Sequence, residues 1–389
     1  MASTYLTRTP GSAGNRKTWT YSAWIKRGKI SDTTSMFSAW SADSIGSHCV
    51  IQFDSNDLLD ISTWSVNVLT TTAKYRDPSA WYHIVMAVDT TQTTASDRVK
   101  FYVNGEQVTS FSTSNYPAED FEFAVNNSVI QTIGSNNYSS NTSFWNGSMA
   151  NVEMVDGQQL TPAYFGSTDS NTGIWTPQAT STISSYGTNG FKLKMDTATP
   201  GADTSGNTNN FTVGGGTPTL TQGSPSNNWC TFNPLVNNAG EMMLLSNGNT
   251  SCQSNAAQGN SWKLAVSTFG MMSGKWYWEA KLVNINNNNY HGVMGSNVLV
   301  ANASNPMNAT GFTGWNNGDG GEMLKDGNNT SNDYGTLADN DILGVALNAD
   351  DYTISIYKNG SALVSNYALS TTGRDILYPC SVAYNTNNT

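Results

Sequence analysis

Trp81-Tyr82-His83-Ile84-Val85-Met86-Ala87-Val88-Asp89, followed after a polar loop by Val99-Lys100-Phe101-Tyr102-Val103-Asn104-Gly105-Glu106-Gln107-Val108, is the stretch that decides the fold. It reads as strand, loop, strand, turn, strand. The first run is short, apolar and rich in β-branched and aromatic residues. Asn104-Gly105 then marks a two-residue hairpin, because both central residues of a type I′ turn need positive φ, which Asn and Gly tolerate. Working outward, Thr18-Trp19-Thr20-Tyr21-Ser22-Ala23-Trp24-Ile25-Lys26 alternates with period two and puts Trp19 and Tyr21 on one face of a strand. Ser35–Trp40 and His48–Asp54 follow at short spacing, separated by polar turns, with no helical period between them.

Composition agrees with an all-β chain. Of the 389 residues only 12% are charged, too few for helical surfaces, while Asn, Ser, Thr and Gly fill turns and strand faces. The 12 Trp, 17 Tyr and 13 Phe supply the bulk for real cores, so the low charge does not signal disorder. A net charge of −10 with no basic stripe speaks against nucleic acid as a partner. No run of about 18 apolar residues suggests membrane insertion. The start, MASTYLTRTP, lacks the charged and apolar regions of a secretory signal, so export by that route is not expected.

The Trp81–Val108 stretch resembles the laminin-G-like members of the concanavalin A-like lectin/glucanase superfamily, in which the same pair of strands carries a similar pattern. Phe144–Gly157 with Leu160-Thr161-Pro162 and Phe165-Gly166, and the opening Tyr5–Pro10 and Asn15–Thr20, are similar to such domains in virion proteins of tailed phages, marine ones above all. Farther on, Gly274-Lys275-Trp276-Tyr277-Trp278-Glu279 and Asp341–Asp351, with Thr353–Gly360 ending in a second Asn-Gly, resemble a SPRY domain. The expected architecture is therefore two tandem antiparallel β-sandwiches, a jelly-roll of concanavalin A-like type and then a SPRY-like one. The expected boundaries are 1–213 for the first, 214–226 for a Gly/Pro/Ser-rich linker and 227–389 for the second. SPRY domains usually carry a strand beyond Tyr378–Tyr384. Either the chain continues past residue 389 or a partner is expected to supply that edge.

No catalytic pattern stands out. Glycosidase chemistry needs two carboxylates about 5 to 10 Å apart, and no E-x-D-x-x-E strand occurs. GxSxG, HExxH and phosphate-cradling loops are also missing, so an enzyme is not expected and a glycan depolymerase is the weakest reading. The three histidines, His48, His83 and His291, stand apart from any carboxylate or cysteine at metal-ligand spacing. Cys230 and Cys252 could pair or remain free thiols in a reducing cytosol. Asp203 and Asn207, in the Asp203–Phe211 segment, suit either a calcium site or an Asx-type turn that needs no ion.

Sugar binding calls for aromatic faces flanked by amides and carboxylates. Trp64, Tyr116, Tyr138, Trp145, Phe312 and Trp315 fall in expected loops or edges, and each could equally fill a core. The segment Gly311–Gly321, with Phe312, Trp315, Asn316 and Asp319 among many glycines, is expected to form an exposed, variable loop. The resemblance implies a structural protein made in the host cytoplasm and carried on the virion surface as fibre, tail adhesin or capsid decoration. Its expected partners are other virion proteins, further copies of itself in a homo-oligomer, and a host-surface glycan or protein. The competing expectation is an architectural module that cements capsid or tail and reads no host ligand.

Overall fold

The computed structural model describes every residue except 1–3, 179–181, 197, 237–241, 255–260, 284, 286–287, 301–304, 319, 331, 373–374 and 385–389. The chain divides into two compact units, Met1–Trp229 and Cys230–Thr389. Strands dominate both, and the longest α-helix among the described residues is Ser296–Val300.

In the first unit an eight-stranded sheet runs Phe111–Ser114, Val66–Lys74, Leu58–Thr63, His48–Phe53, Thr34–Trp40, Ile130–Ile133, Tyr5–Arg8, Thr212–Gly214. A six-stranded sheet runs Phe191–Leu193, Gly147–Asp156, Thr18–Arg27, Tyr82–Asp89, Val99–Val103, Glu106–Gln107. Strand pairing is antiparallel throughout, as expected. Trp19, Tyr21 and Ile25 point into one core with Phe37, Ile51, Ile61 and Phe101. Trp19 meets Phe123 edge-on at 5.5 Å, and Tyr21 meets Phe37 at 5.5 Å. The turn is the expected one, with φ of 50° at Asn104 and 88° at Gly105, closing Val103 against Glu106.

The six-stranded sheet is covered on its outer face as well, which is why Thr18–Arg27 is almost wholly buried. Val85 and Val155 pack there with Leu160, Phe165 and Tyr186 from the chain after the Gly147–Asp156 strand. His83 is fully buried between Trp24, stacked at 4.5 Å, and Trp175, at 6.0 Å. The Trp175 indole N–H donates to His83 Nδ1 at 3.0 Å, so Nε2 carries the proton and donates to Ser22 Oγ at 2.9 Å. Residues past Gly214 stay with this unit: Lys26 Nζ reaches Asn228 Oδ1 at 2.9 Å and the Trp229 carbonyl at 2.8 Å.

The second unit pairs a six-stranded sheet with a four-stranded one. The first runs Trp262–Val266, Leu377–Tyr384, Asn289–Gly295, Phe312–Asn316, Glu322–Lys325, Asn328–Asn329. The second runs Lys275–Lys281, Ile342–Asn348, Thr353–Lys358, Ser361–Ala368. Leu343, Val345, Ile354 and Ile356 from the four-stranded sheet meet Val293, Trp315, Met323 and Leu377 from the other. The second Asn-Gly turn also has both φ positive, 48° at Asn359 and 82° at Gly360.

Leu377–Tyr384 is flanked on both sides, by Trp262–Val266 and Asn289–Gly295. One expectation is corrected here. Phe312–Asn316 is an interior strand and not an exposed loop, with Phe312 and Trp315 fully buried on opposite faces. The glycines mark close backbone approach: Gly314 faces Gly292, and a Cβ on Gly292 would lie 2.2 Å from the Thr313 carbonyl oxygen.

Burial lowers the pKa of His83 from 6.5 to about 3. The unfolded chain binds this proton below pH 6.5 and the folded one does not until about pH 3. The first unit therefore loses stability as pH falls through that window, by up to about 1.4 kcal/mol per pH unit from this group. Urea unfolding at pH 7, 5.5 and 4 should show a smaller slope in H83F than in the natural protein. An unchanged slope removes His83 as a cause.

Candidate functional site

The outer face of the eight-stranded sheet ends in an aromatic cluster built by strand parity. Ala39 and Cys49 point into the core, so their neighbours Trp40 and His48, which are register partners, point outward. Thr63 pairs with Cys49, so Trp64 also projects outward, one residue past the strand end. Tyr138 then arrives from the loop after Ile130–Ile133 and stacks on Trp64, with centroids 4.8 Å apart and planes at 26°. Trp40 meets the same ring edge-on at 6.2 Å and His48 at 6.0 Å.

Polar side chains hold that loop on the sheet. Ser38 Oγ lies 2.7 Å from both Thr132 Oγ1 and Asn137 Oδ1, and Asn137 Nδ2 donates to the Ile130 carbonyl at 3.0 Å. Asn136 Oδ1 accepts the Tyr138 N–H at 3.1 Å and lies 3.2 Å from His48 Nε2. It is an acceptor in both contacts, so His48 is protonated on Nε2, and its buried Nδ1 lone pair has no partner. The buried indole N–H of Trp40 also has none. Burial lowers the pKa of His48, which stays neutral at pH 7. The Tyr138 hydroxyl donates to Asp43 Oδ2 at 3.3 Å.

Of the residues picked from sequence, the structure brings Trp64 and Tyr138 together. Tyr116 and Trp145 instead lie against the first core, Trp145 beside Phe53 at 6.3 Å. Phe312 and Trp315 fill the second unit, and Asn316 is buried with its Oδ1 accepting the Gly318 N–H at 2.9 Å. Asp319 lies outside the described residues. Trp40 and His48 were not singled out as binding residues, although outward parity relative to Phe37 and Ala39 was the signal that could have found them.

The proposed metal pair has other work. Asp203 Oδ1 accepts the N–H groups of Lys192 and Ser205, both at 2.8 Å. Its Oδ2 accepts from Ser205 Oγ at 2.9 Å and the Asn209 N–H at 2.8 Å. Asn207 Nδ2 donates to the carbonyls of Gly187 and Gly190. With its lone pairs occupied by protein donors, Asp203 acts as an Asx-type tie and not as a cation ligand. All four cysteines are free. The histidines His83 and His291 are structural, the latter with Nδ1 3.0 Å from Ser381 Oγ.

Comparison with known proteins finds two domain families in the chain. Residues 2–163 match the family model of the concanavalin A-like lectin/glucanases superfamily, and residues 275–389 match that of the SPRY domain. Solved structures similar to the chain include the SPRY domain of human HERC1, 20% identical, covering 32% of this chain and 77% of that one, with a TM-score of 0.27. A native heptameric SAP-like pentraxin from Limulus polyphemus is 15% identical over 41% of this chain and 72% of its own, with a TM-score of 0.31. Domains LG4-5 of the mouse laminin alpha1 chain are 10% identical over 97% and 79%, with a TM-score of 0.32. No curated protein matches the chain. Lectin-like and SPRY domains are typically non-catalytic binding modules.

W315A should lower the stability of the second unit by about 3 to 5 kcal/mol, the usual cost of emptying a large core site, as read by chemical denaturation. A cost below 1 kcal/mol contradicts its burial. EDTA should leave the thermal midpoint of the first unit unchanged while D203A lowers it; the reverse pattern restores the calcium reading.

Proposed function

We propose, from the premise that this chain carries a concanavalin A-like domain followed by a SPRY domain, that it is a non-enzymatic adhesin on the surface of a tailed-phage particle. In this reading the protein is made in the host cytoplasm, is held on the particle by other virion proteins, and presents several copies of itself to the host. The first sandwich grips a host-surface glycan through Trp40, Trp64 and Tyr138. The observation that carries the glycan part is the half-exposed Trp64–Tyr138 stack, flanked by Asp43 and Asn136. Aromatic faces take up the apolar side of a pyranose, and carboxylate and amide groups read its hydroxyls. The phage part is supported by the motif resemblances of Tyr5–Pro10 and Phe144–Gly157 and by the tandem order of the two domains. A single shallow platform binds weakly, and many copies on one particle convert that into firm attachment.

The second sandwich serves as a protein-binding or anchoring module in this scheme. Tyr277 is 55% exposed on its four-stranded sheet and lies across Gly344, where a Cβ would come within 2.5 Å of the phenolic oxygen. That packing leaves an exposed aromatic ring on this sheet.

Each aromatic contact contributes about 0.5 to 1.5 kcal/mol beyond burial. The double variant W64A/Y138A should therefore bind intact host cells about ten-fold or more weakly while keeping its circular dichroism spectrum and thermal midpoint. Undiminished cell binding refutes the platform. Absence of cell binding by the natural protein, with retention on emptied capsids, replaces the adhesin by an architectural cement.

A further inference from the structure

The platform has a chemical bias beyond its shape. Asp43 is exposed and accepts the Tyr138 hydroxyl through Oδ2, leaving Oδ1 without a hydrogen bond among the described residues. A second carboxylate, Asp60, lies on the same outward face of the strand that leads to Trp64, four residues earlier, with Ser62 between them. It is 2% exposed and accepts from Ser62 Oγ at 2.6 Å. Among the described residues neither carboxylate has a Lys or Arg counter-ion. Arg16 reaches the Gly46 carbonyl at 3.2 Å, in the loop that carries Asp43, but its charge is matched by Glu122 at 2.7 Å. The remaining base of the cluster, His48, is 6% exposed and neutral, with its Nδ1 lone pair unpartnered.

The local field is therefore negative, the open groups are mainly acceptors, and the aromatic faces carry the negative side of their quadrupoles. An ammonium group offers three donors and a positive charge and suits all three features. Uronate and sulfate groups offer the opposite. Resting on the glycan-binding reading of this same site, we infer that the first sandwich selects glycans bearing free, protonated amino sugars, the amine pairing with Asp43 beside the Trp64–Tyr138 stack.

The test measures calorimetric affinity of the full chain for three probes of equal length: a chitosan oligosaccharide with free amines, its fully N-acetylated counterpart and an oligouronate. The amine form should bind about five-fold or more tightly than the acetylated form, as expected for one surface charge pair with cation–π support, and the uronate should bind weakest. D43N should bring the first two within about two-fold, and W64A should weaken both. Equal or tighter binding of the acetylated or uronate probe, still lost in W64A, overturns the amine assignment and leaves the platform standing. Chitosan binding that W64A does not weaken overturns the platform. Failure of all three probes overturns the amine assignment, and the comparison of W64A/Y138A with the natural protein on whole cells then decides the platform separately.

Discussion

Everything in the first unit follows from one constraint, that residues alternating along a strand must face opposite sides of its sheet. Packing Trp19, Tyr21 and Ile25 against Phe37, Ile51 and Ile61 closes the sandwich. Once Ala39, Cys49 and Thr63 are aligned across three neighbouring strands, Trp40, His48 and Trp64 have no choice but the opposite face. A one-residue slip in any of these strands would exchange core and platform together. The aromatic cluster is thus the reverse side of the hydrophobic core, and the free energy that orders one orders the other.

Burial on the outer faces decides where a ligand can go. The outer side of the six-stranded sheet in the first unit is closed by Leu160, Phe165, Trp175 and Tyr186, and His83 fixes Trp175 there through a bond to its indole N–H. In the second unit the outer side of the six-stranded sheet is closed in the same way, by Val298 and Met307 over Phe312, Leu324 and Val382. Aromatic residues in such layers are structural however polar their edges are. The stack on the eight-stranded sheet differs because Trp64 and Tyr138 stay half-exposed.

The strand pattern, both Asn-Gly turns and the division into two sandwiches were legible because they depend on local periodicity and on φ values that few residues adopt. Trp64 and Tyr138 were legible as exposed aromatics, but their stacking was not, since 74 residues separate them in the chain. The glycines around Phe312 and Trp315 misled for a physical reason. Glycine serves both loops that need positive φ and strands whose backbones approach closely, and only the pairing of Gly292 with Gly314 separates the two uses. Asp203 was ambiguous in the same sense, because an Asx tie and a calcium ligand ask for the same carboxylate, and the difference lies in where the donors at Lys192 and Asn209 come to rest.

The abundance of Asn, Ser and Thr acquires a function in this light. Where a charged protein would cross-link its loops by ion pairs, this one ties them down with short polar side chains. Asp156 accepts from the Asn15 and Asn189 backbones and from the Asn126 amide, and Ser38 binds the loop that carries Tyr138. Such bonds reach only a few ångströms and have few rotamers to lose, so a loop held by them is ordered before a ligand arrives. Those made by Ser38 and Asn137 are also uncharged, so salt that would screen ion pairs leaves them intact. A shallow aromatic platform can afford little ordering entropy on binding, and a scaffold tied in this way leaves it little to lose.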